Sequence, residues 1–528
     1  MRRAIKYSIC ILSIMLSITI AAQGNKSIKE IKKLAEEKFK NENYEDAIEF
    51  YLQLITDEPK NIEYNYNLAV CYLNSNIKKS KAIPHLEIVT IEQKDNSLAY
   101  FLLGRAYQFS NRFDDALQAF KSFKNIVKSG HELSDEADLE IQHCLNGKEL
   151  TKFPINVNFR NLGPSINSAF ADYYPFVNEN EGYMVFNSKR PINKDAERLL
   201  NGQYMNSIYL SKVVNGEYME SEVIGAPICK GNSGEEVIGM NAKGDILIIL
   251  KNNLKGKSKL YLSRMDNNGQ FGKLEALDDK INGNGDVISA CINNDASVIY
   301  FASNAKGGFG GTDLYSCKKL PNGKWSDAMN MGADINTKYD EDFPNLSPDG
   351  NTFYFSSKGS SSMGGYDIFK AKIDEETGKF SKPLNMGYPL NTSYDDFNFR
   401  ISKNGKYGYV ASLRGGGLGD YDIYRVTFNE IENDYTILIG NILPKDSTQL
   451  IEFRETYLTV YNNISNEIVG NYVPNPEIGR FIIILPPGKY TLICEAPGFK
   501  EYKRALQVYD KASYQKEINL YIELKTEQ

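Results

Sequence analysis

A repeat constrains this chain more than its composition does. The stretches GFGGTDLYSC (Gly308–Cys317), SMGGYDIFKA (Ser362–Ala371) and GLGDYDIYRV (Gly417–Val426) each set glycines and an acid before a short apolar run. Five pairs of strand-like marks share that period. One mark is an apolar run with a polar end: MVFNS (Met184–Ser188), LIILK (Leu247–Lys251), IYFAS (Ile299–Ser303), FYFSS (Phe353–Ser357) and GYVAS (Gly408–Ser412). The other is Tyr209, Tyr261, Tyr315, Phe369 and Tyr424, at spacings of 52, 54, 54 and 55.

Tight turns such as NAKGD, SPDGN and SKNGK stand before the apolar runs. Asp-Gly and Asn-Gly steps supply the positive φ that a short hairpin needs. Each unit therefore reads as strand, hairpin, strand, glycine loop, strand and a longer outer strand, which is one four-stranded blade. Five units over residues 155–430 predict a five-bladed β-propeller, in which radial packing buries both faces of every sheet. The glycines let the second-to-third connection turn sharply or approach the neighbouring blade where a side chain would not fit. Asp313, Asp367 and Asp422 are expected to accept backbone amides of that turn. Acids and glycines also suit calcium, but the dense ligand spacing of a dedicated calcium loop is missing.

Residues 25–150 carry a different period. Ala47, Ala82 and Ala116 stand 35 and 34 apart, with Ala35, Ala69 and Gly104 twelve or thirteen residues earlier. Small residues at that interval, with Tyr51, Leu86 and Phe120 four residues after the second of each pair, match the column pattern of tetratricopeptide repeats. This predicts an α-solenoid with a capping helix, Ser134–Leu145, over its last apolar face. After Phe428 comes a third kind of text, GRFIIILPPGKYTLICEAPGF (Gly479–Phe499), between TILIGNIL and INLYIELK. Alternating strands and Pro-Gly turns there predict an antiparallel β-sandwich of about seven strands over residues 434–528. The fold class expected is thus multidomain, helical plus all-β.

Residues 1–22, MRRAIKYSICILSIMLSITIAA, have a basic start, an apolar run and small residues at the end. They read as a secretory signal peptide, the alternative being an uncleaved anchor; the apolar run is shorter than a bilayer span. An exported chain is the expectation, periplasmic and outer-membrane-associated. The six later cysteines, Cys71, Cys144, Cys229, Cys291, Cys317 and Cys494, lack paired spacing and read as buried apolar residues, Cys291 with Cys317 being the one pair that shares a repeat.

The charge balance, Lys+Arg 61 against Asp+Glu 67, gives no basic field for a nucleic acid. Only three histidines exist, His85, His131 and His143, and all precede the repeats, so a histidine triad or zinc site in the propeller is excluded. No catalytic residue and no cofactor is expected. A carboxylate series does enter the blades: Asp172, Glu236, Asp286, Asp342 and Asp396. If the strand that follows is innermost, these acids ring one channel mouth, either as turn caps tying blades together or as a docking point for a basic peptide or a cation. In the helical segment Asn65, Tyr100 and Arg105 are the expected lining of a peptide groove, with Asn65 preferred over Asn67 because residues two apart diverge on a helix.

The signal peptide, tetratricopeptide-like repeats, the link IQHCLNGKEL (Ile141–Leu150), NLGPSINS (Asn161–Ser168), the repeats and the GRF…LPPGKYTL module together resemble a Bacteroidota envelope family. Its members include the periplasmic anchor protein of the type IX secretion system. The resemblance implies WD-repeat-like (PD40) blades and a carboxypeptidase regulatory-like, transthyretin-like sandwich without catalysis. Many members continue into an OmpA-like domain that grips peptidoglycan; the text here stops at Gln528 without one, so direct wall attachment is not implied. The function expected is a non-enzymatic scaffold for envelope or secretion proteins. The alternatives are a sensor holding a glycan, peptide or calcium in the propeller channel and, more remotely, a propeller hydrolase.

Overall fold

The computed structural model describes residues 27–526 apart from 77, 129, 230–233, 253–257, 284, 375, 430–435 and 509–516. The expected signal peptide lies outside the described residues. The chain divides into two compact units: residues up to Lys148 together with Pro191–Met205, and Glu149–Arg190 together with Asn206 onward.

The first unit holds helices α1 (Ile28–Lys40), α2 (Tyr44–Asp57), α3 (Ile62–Asn74), α4 (Ala82–Glu92), α5 (Ser97–Gln108) and α6 (Phe113–Ile126), and α7 (Ser134–Leu150) begins in it. Ser27 and Glu30 form a capping box at the start of α1, and Asn43, Asn61 and Asn96 each accept an amide of the first turn they precede. The small residues of the repeat lie where neighbouring helices touch: Ala35, Ala47, Ala69, Ala82 and Ala116 are fully buried. A Cβ at Gly104 of α5 would stand 2.7 Å from the Phe120 ring of α6. The last helix runs five residues beyond the expected cap, to Leu150.

The second unit opens on strand Val157–Asn161 and then forms five antiparallel sheets. Their first strands are Asp172–Val177, Glu236–Met240, Val287–Ile292, Glu341–Leu346 and Phe397–Ile401. Their second strands, Tyr183–Ser188, Ile246–Asn252, Val298–Ser303, Thr352–Ser357 and Tyr407–Ser412, contain the five apolar runs. The third strands, Ser207–Val214, Ser258–Arg264, Asp313–Lys318, Asp367–Lys372 and Asp422–Phe428, contain the five aromatic marks. Both faces of the second strands are buried, as Thr352–Ser357 is throughout, which is why those segments read as continuous apolar runs instead of alternating ones.

Two features depart from the expected blade. The outer strands of the second, third and fourth sheets are two residues long, Glu275–Ala276, Met329–Asn330 and Leu384–Asn385, where longer strands were expected. The fifth sheet takes its outer strand from the beginning of the unit: Val157–Asn161 pairs antiparallel with Asp422–Phe428, Val157 opposite Phe428 and Asn161 opposite Tyr424. The first strands adjoin one another in chain order, and the fifth returns to the first. The sheets therefore close into a propeller-like ring.

After it stand seven strands: Thr436–Pro444, Tyr457–Asn462, Ile468–Tyr472, Arg480–Leu485, Gly488–Glu495, Tyr502–Val508 and Glu517–Leu524. They form one three-stranded and one four-stranded sheet. Along Arg480–Leu485 the residues Phe481, Ile483 and Leu485 are buried while their neighbours are exposed, the period of a strand with one face on a core. The pairing is not antiparallel throughout, as had been expected, because Thr436–Pro444 lies parallel to Glu517–Leu524, with Ile437 opposite Glu517. TILIGNIL and INLYIELK thus sit side by side in one sheet with the same direction.

Candidate functional site

The glycine loops come first, since they set the ring. Asp313 accepts the amides of Phe309 and Gly310 at 2.6 and 3.0 Å, Asp367 that of Met363 at 3.0 Å, and Asp422 that of Leu418 at 2.6 Å. A methyl group at Gly310, Gly364 or Gly419 would overlap the backbone of Tyr339, Ser393 or Ala169. These glycines are needed because the loop leading into the next sheet passes against them.

That loop carries a motif the repeat search missed: NLGPSINS (161–168), NMGADINT (330–337) and NMGYPLNT (385–392). The first asparagine of each donates Nδ2 to the loop acid, Asn161 to Asp422 at 2.6 Å, Asn330 to Asp313 at 2.7 Å and Asn385 to Asp367 at 2.7 Å. The second, Asn167, Asn336 or Asn391, accepts the amide and caps the carbonyl of Ile423, Leu314 or Ile368. The closing Ser168, Thr337 or Thr392 then donates both amide and hydroxyl to the acid that opens the next sheet: Asp172, Glu341 or Asp396. Each copy clasps the third strand of one sheet to the first strand of the next.

The five acids singled out from the sequence do not occupy one register. Asp172 lies opposite Ser188 and Glu341 opposite Ser357, whereas Glu236 faces Leu250 and Asp342 faces Ser356, one step further along their strands. Asp172 is fully buried and paired with Arg190 at 2.6 Å. Asp396 is buried with Arg414 3.9 Å away; burial pushes its carboxyl up to about 7, opposed by that guanidinium. Asp286 is exposed, beside Asn304. Glu236 accepts from the Tyr173 hydroxyl at 3.1 Å, and Asp342 accepts from the Ser289 hydroxyl. Burial raises the carboxyls of both, Asp342 to about 6.

Every first strand is bulged just past this point, and Tyr174, Phe343 and Asn398 take up positive φ there (54°, 53° and 53°). The bulges turn aromatic rings together: Tyr174 with Phe343 at 5.3 Å between centroids, Tyr174 with Phe397 at 5.7 Å and Phe343 with Phe397 at 4.8 Å. Beyond the bulge, Phe176, Cys291, Asn345 and Arg400 occupy matching register, opposite Val185, Tyr300, Tyr354 and Tyr409. Arg400 is 7% exposed. Its Nη1 donates to Asn345 Oδ1 and, at 3.3 Å, to the Met240 carbonyl, while its plane sits 4.3 Å from the Phe176 ring centre. Sequence reasoning missed Arg400; the one signal was an arginine among Phe397, Phe399 and Ile401 in an inner strand.

In the helical unit Asn65 does not line a groove. It is 1% exposed, donates to the carbonyls of Pro59 and Asn61 at 2.9 Å, and meets His85 Nδ1 at 2.8 Å. Asn67 is the one that reaches a surface recess, shared with Lys60, Glu63, Tyr66 and Gln93. The preference for Asn65 is therefore reversed: the helix turns Asn65 inward, and its amide fastens the start of α3 to α4. The Tyr100 hydroxyl lies 3.4 Å from the Thr90 carbonyl. Arg105 is half-buried against Phe109, 3.8 Å from Glu140 and 3.9 Å from Glu136. All six later cysteines are buried, and Cys291 and Cys317 are not joined. Among the described residues no group of three or more His, Cys, Asp or Glu side chains is arranged to hold a metal ion, and no helix is long and apolar enough to cross a membrane.

Fold and site together define a helical plus all-β multidomain protein with a propeller-like ring. No protein-family model matches the chain. No curated protein matches it either. Among solved structures it is similar to TolB from Acinetobacter baumannii, with 12% identity and a TM-score of 0.30 over 60% of this chain; the match spans 62% of TolB's length. It is also similar to a thermostable family-43 glycoside hydrolase (13% identity, TM-score 0.31, 51% of this chain and 92% of that one). A third is the β-1,2-mannobiose phosphorylase from Listeria innocua (10% identity, TM-score 0.35, 52% and 98%).

Proposed function

We propose that the protein is a non-enzymatic scaffold of a bacterial envelope. In this reading the helices are a tetratricopeptide solenoid, the ring is a five-bladed propeller of PD40 type, and the seven strands are a transthyretin-like sandwich. The chain is exported to the periplasm and joins outer-membrane or secretion-machinery proteins, those of type IX secretion being the leading set. Three modules in series, each of a kind that presents surface to partners, suit such a role.

The observation that carries the reading is the use of the repeated polar residues. Asn161, Asn330 and Asn385, their second asparagines and the acids Asp172, Glu341 and Asp396 all turn inward and join sheet to sheet. The repeat thus serves the rigidity of the ring, and outer surfaces are left for recognition. Of the acids that enter the sheets, Glu236 and Asp342 are bonded to Tyr173 and Ser289.

The test is cross-linking in living cells with the tagged full chain, followed by mass spectrometry of both the cross-links and the chain's N-terminus. Recurrent cross-links from helices and ring to the same envelope proteins, with cleavage near Ala22, are expected. A cytoplasmic, uncross-linked chain, or turnover of glycosides that Asp342→Asn abolishes, would overturn the reading.

A further inference from the structure

The guanidinium of Arg400 is held without a counter-charge. Among the described residues no carboxylate pairs with it, and its Nε and Nη2 are buried with no hydrogen-bond partner. Those two atoms form one edge of the guanidinium plane, the fork that meets two oxygens of a carboxylate or phosphate side by side. The opposite corner, Nη1, is fixed by Asn345 and the Met240 carbonyl, and the face is fixed by Phe176. The orientation of the free edge is thus set before anything binds.

A buried charge without partners is costly, more so when its donors are unsatisfied as well. A second donor nearby in the sequence is also unsatisfied: Nδ2 of Asn398, at the bulge two residues before Arg400, 4% exposed. A recess of about 240 Å³ nearby, lined by Ile292 and Leu346, also carries the carboxylates Asp295 and Asp349 and does not include Arg400, so the guanidinium edge itself carries the inference.

We propose that the centre of the ring is a binding site for a small oxyanion, a carboxylate or phosphate group, seated on the Nε–Nη2 edge of Arg400. The site stands apart from the scaffold reading; either can fail without the other.

The experiment is a thermal-shift titration of the full chain with sodium acetate and, separately, sodium phosphate, each against sodium chloride at matched ionic strength. Because only the native ring offers the site, a saturable rise in Tm with one or both oxyanions is expected; which of the two responds names the source. Arg400→Met, whose folding is checked by circular dichroism, is expected to weaken the response at least tenfold. Asn345→Asp guards against an unfolded Arg400→Met: it sets a carboxylate on the guanidinium from within, at the loss of the Asn345 bond to the Phe399 carbonyl, and is expected to weaken the oxyanion response at least tenfold. Equal responses in the wild type and Asn345→Asp, or no oxyanion response in the wild type, would overturn the site.

Discussion

Asn161 donates its Nδ2 to Asp422 Oδ2 at 2.6 Å across 261 residues of sequence. The same bond joins Asn330 to Asp313 and Asn385 to Asp367 over 17 and 18 residues, so one local device is used twice within the chain and once to shut it.

The second asparagine of the device is the more sensitive. Asn167 accepts the Ile423 amide and donates to its carbonyl, both buried. Asn167→Ala leaves the buried Ile423 amide without a partner, while the Ile423 carbonyl keeps the Leu162 amide, and is expected to cost about 1–3 kcal/mol. Urea unfolding followed at Trp325, the only tryptophan, measures it. Asn158→Ala, at an exposed contact with Asn429, is expected to change stability by less than about 0.5 kcal/mol.

Glycine substitutions separate close approach from mere loop composition. Gly310→Ala drives a methyl group into the Tyr339 carbonyl and is expected to lower the unfolding free energy by about 1–3 kcal/mol. Gly415→Ala meets nothing within 4 Å and is expected to be neutral. Circular-dichroism melts of the two variants decide it.

The buried acids give the ring a pH dependence. Asp342 and Asp396 are raised to about 6 and 7 by burial, so the folded state holds their protons more tightly than the unfolded chain does. Their contribution to stability is full below about pH 4 and is lost as pH rises through about 6 to 7. Asp342→Asn is expected to flatten the fall in Tm between pH 4 and 7 relative to wild type; an unchanged slope would refute it.

The helical unit responds in the opposite sense. Burial lowers the pKa of His85, whose Nδ1 faces Asn65 Oδ1. Because Asn65 Nδ2 already donates to two carbonyls, its Oδ1 must accept, which sets the proton on His85 Nδ1. Stability from this contact is present above pH about 6.5 and is lost as the medium falls through the lowered pKa. Asn65→Ala is expected to cost about 2–3 kcal/mol and to shift the His85 titration seen by NMR.

Much of the ring was legible in the sequence because its period is long and its marks are chemical. The apolar runs and the aromatic marks fall in second and third strands, and Asp313, Asp367 and Asp422 accept the amides expected of them. The inner strands were harder. A bulge adds a residue between Tyr173 and Phe176, Asp342 and Asn345, and Phe397 and Arg400, so alternation no longer says which side chain faces the axis. Arg400, beyond the bulge, went unnoticed for that reason, whereas Glu236 and Asp342 were grouped with Asp172 and Asp396 because each directly follows another acid, Glu235 or Glu341, and the sequence does not say which of the two takes the register. The NxGxxxN motif could have been found by aligning Asn161, Asn330 and Asn385. That the first copy serves the last sheet could not, since it depends on where the chain returns in space.

The closing strand has a temporal side. Val157–Asn161 leaves the ribosome long before its partner Asp422–Phe428 exists. At a synthesis rate of about 5–20 residues per second, the 261-residue gap between Asn161 and Asp422 amounts to roughly 13–52 s. For that interval the first strand has a bare edge, and the ring cannot lock until nearly every sheet has been made.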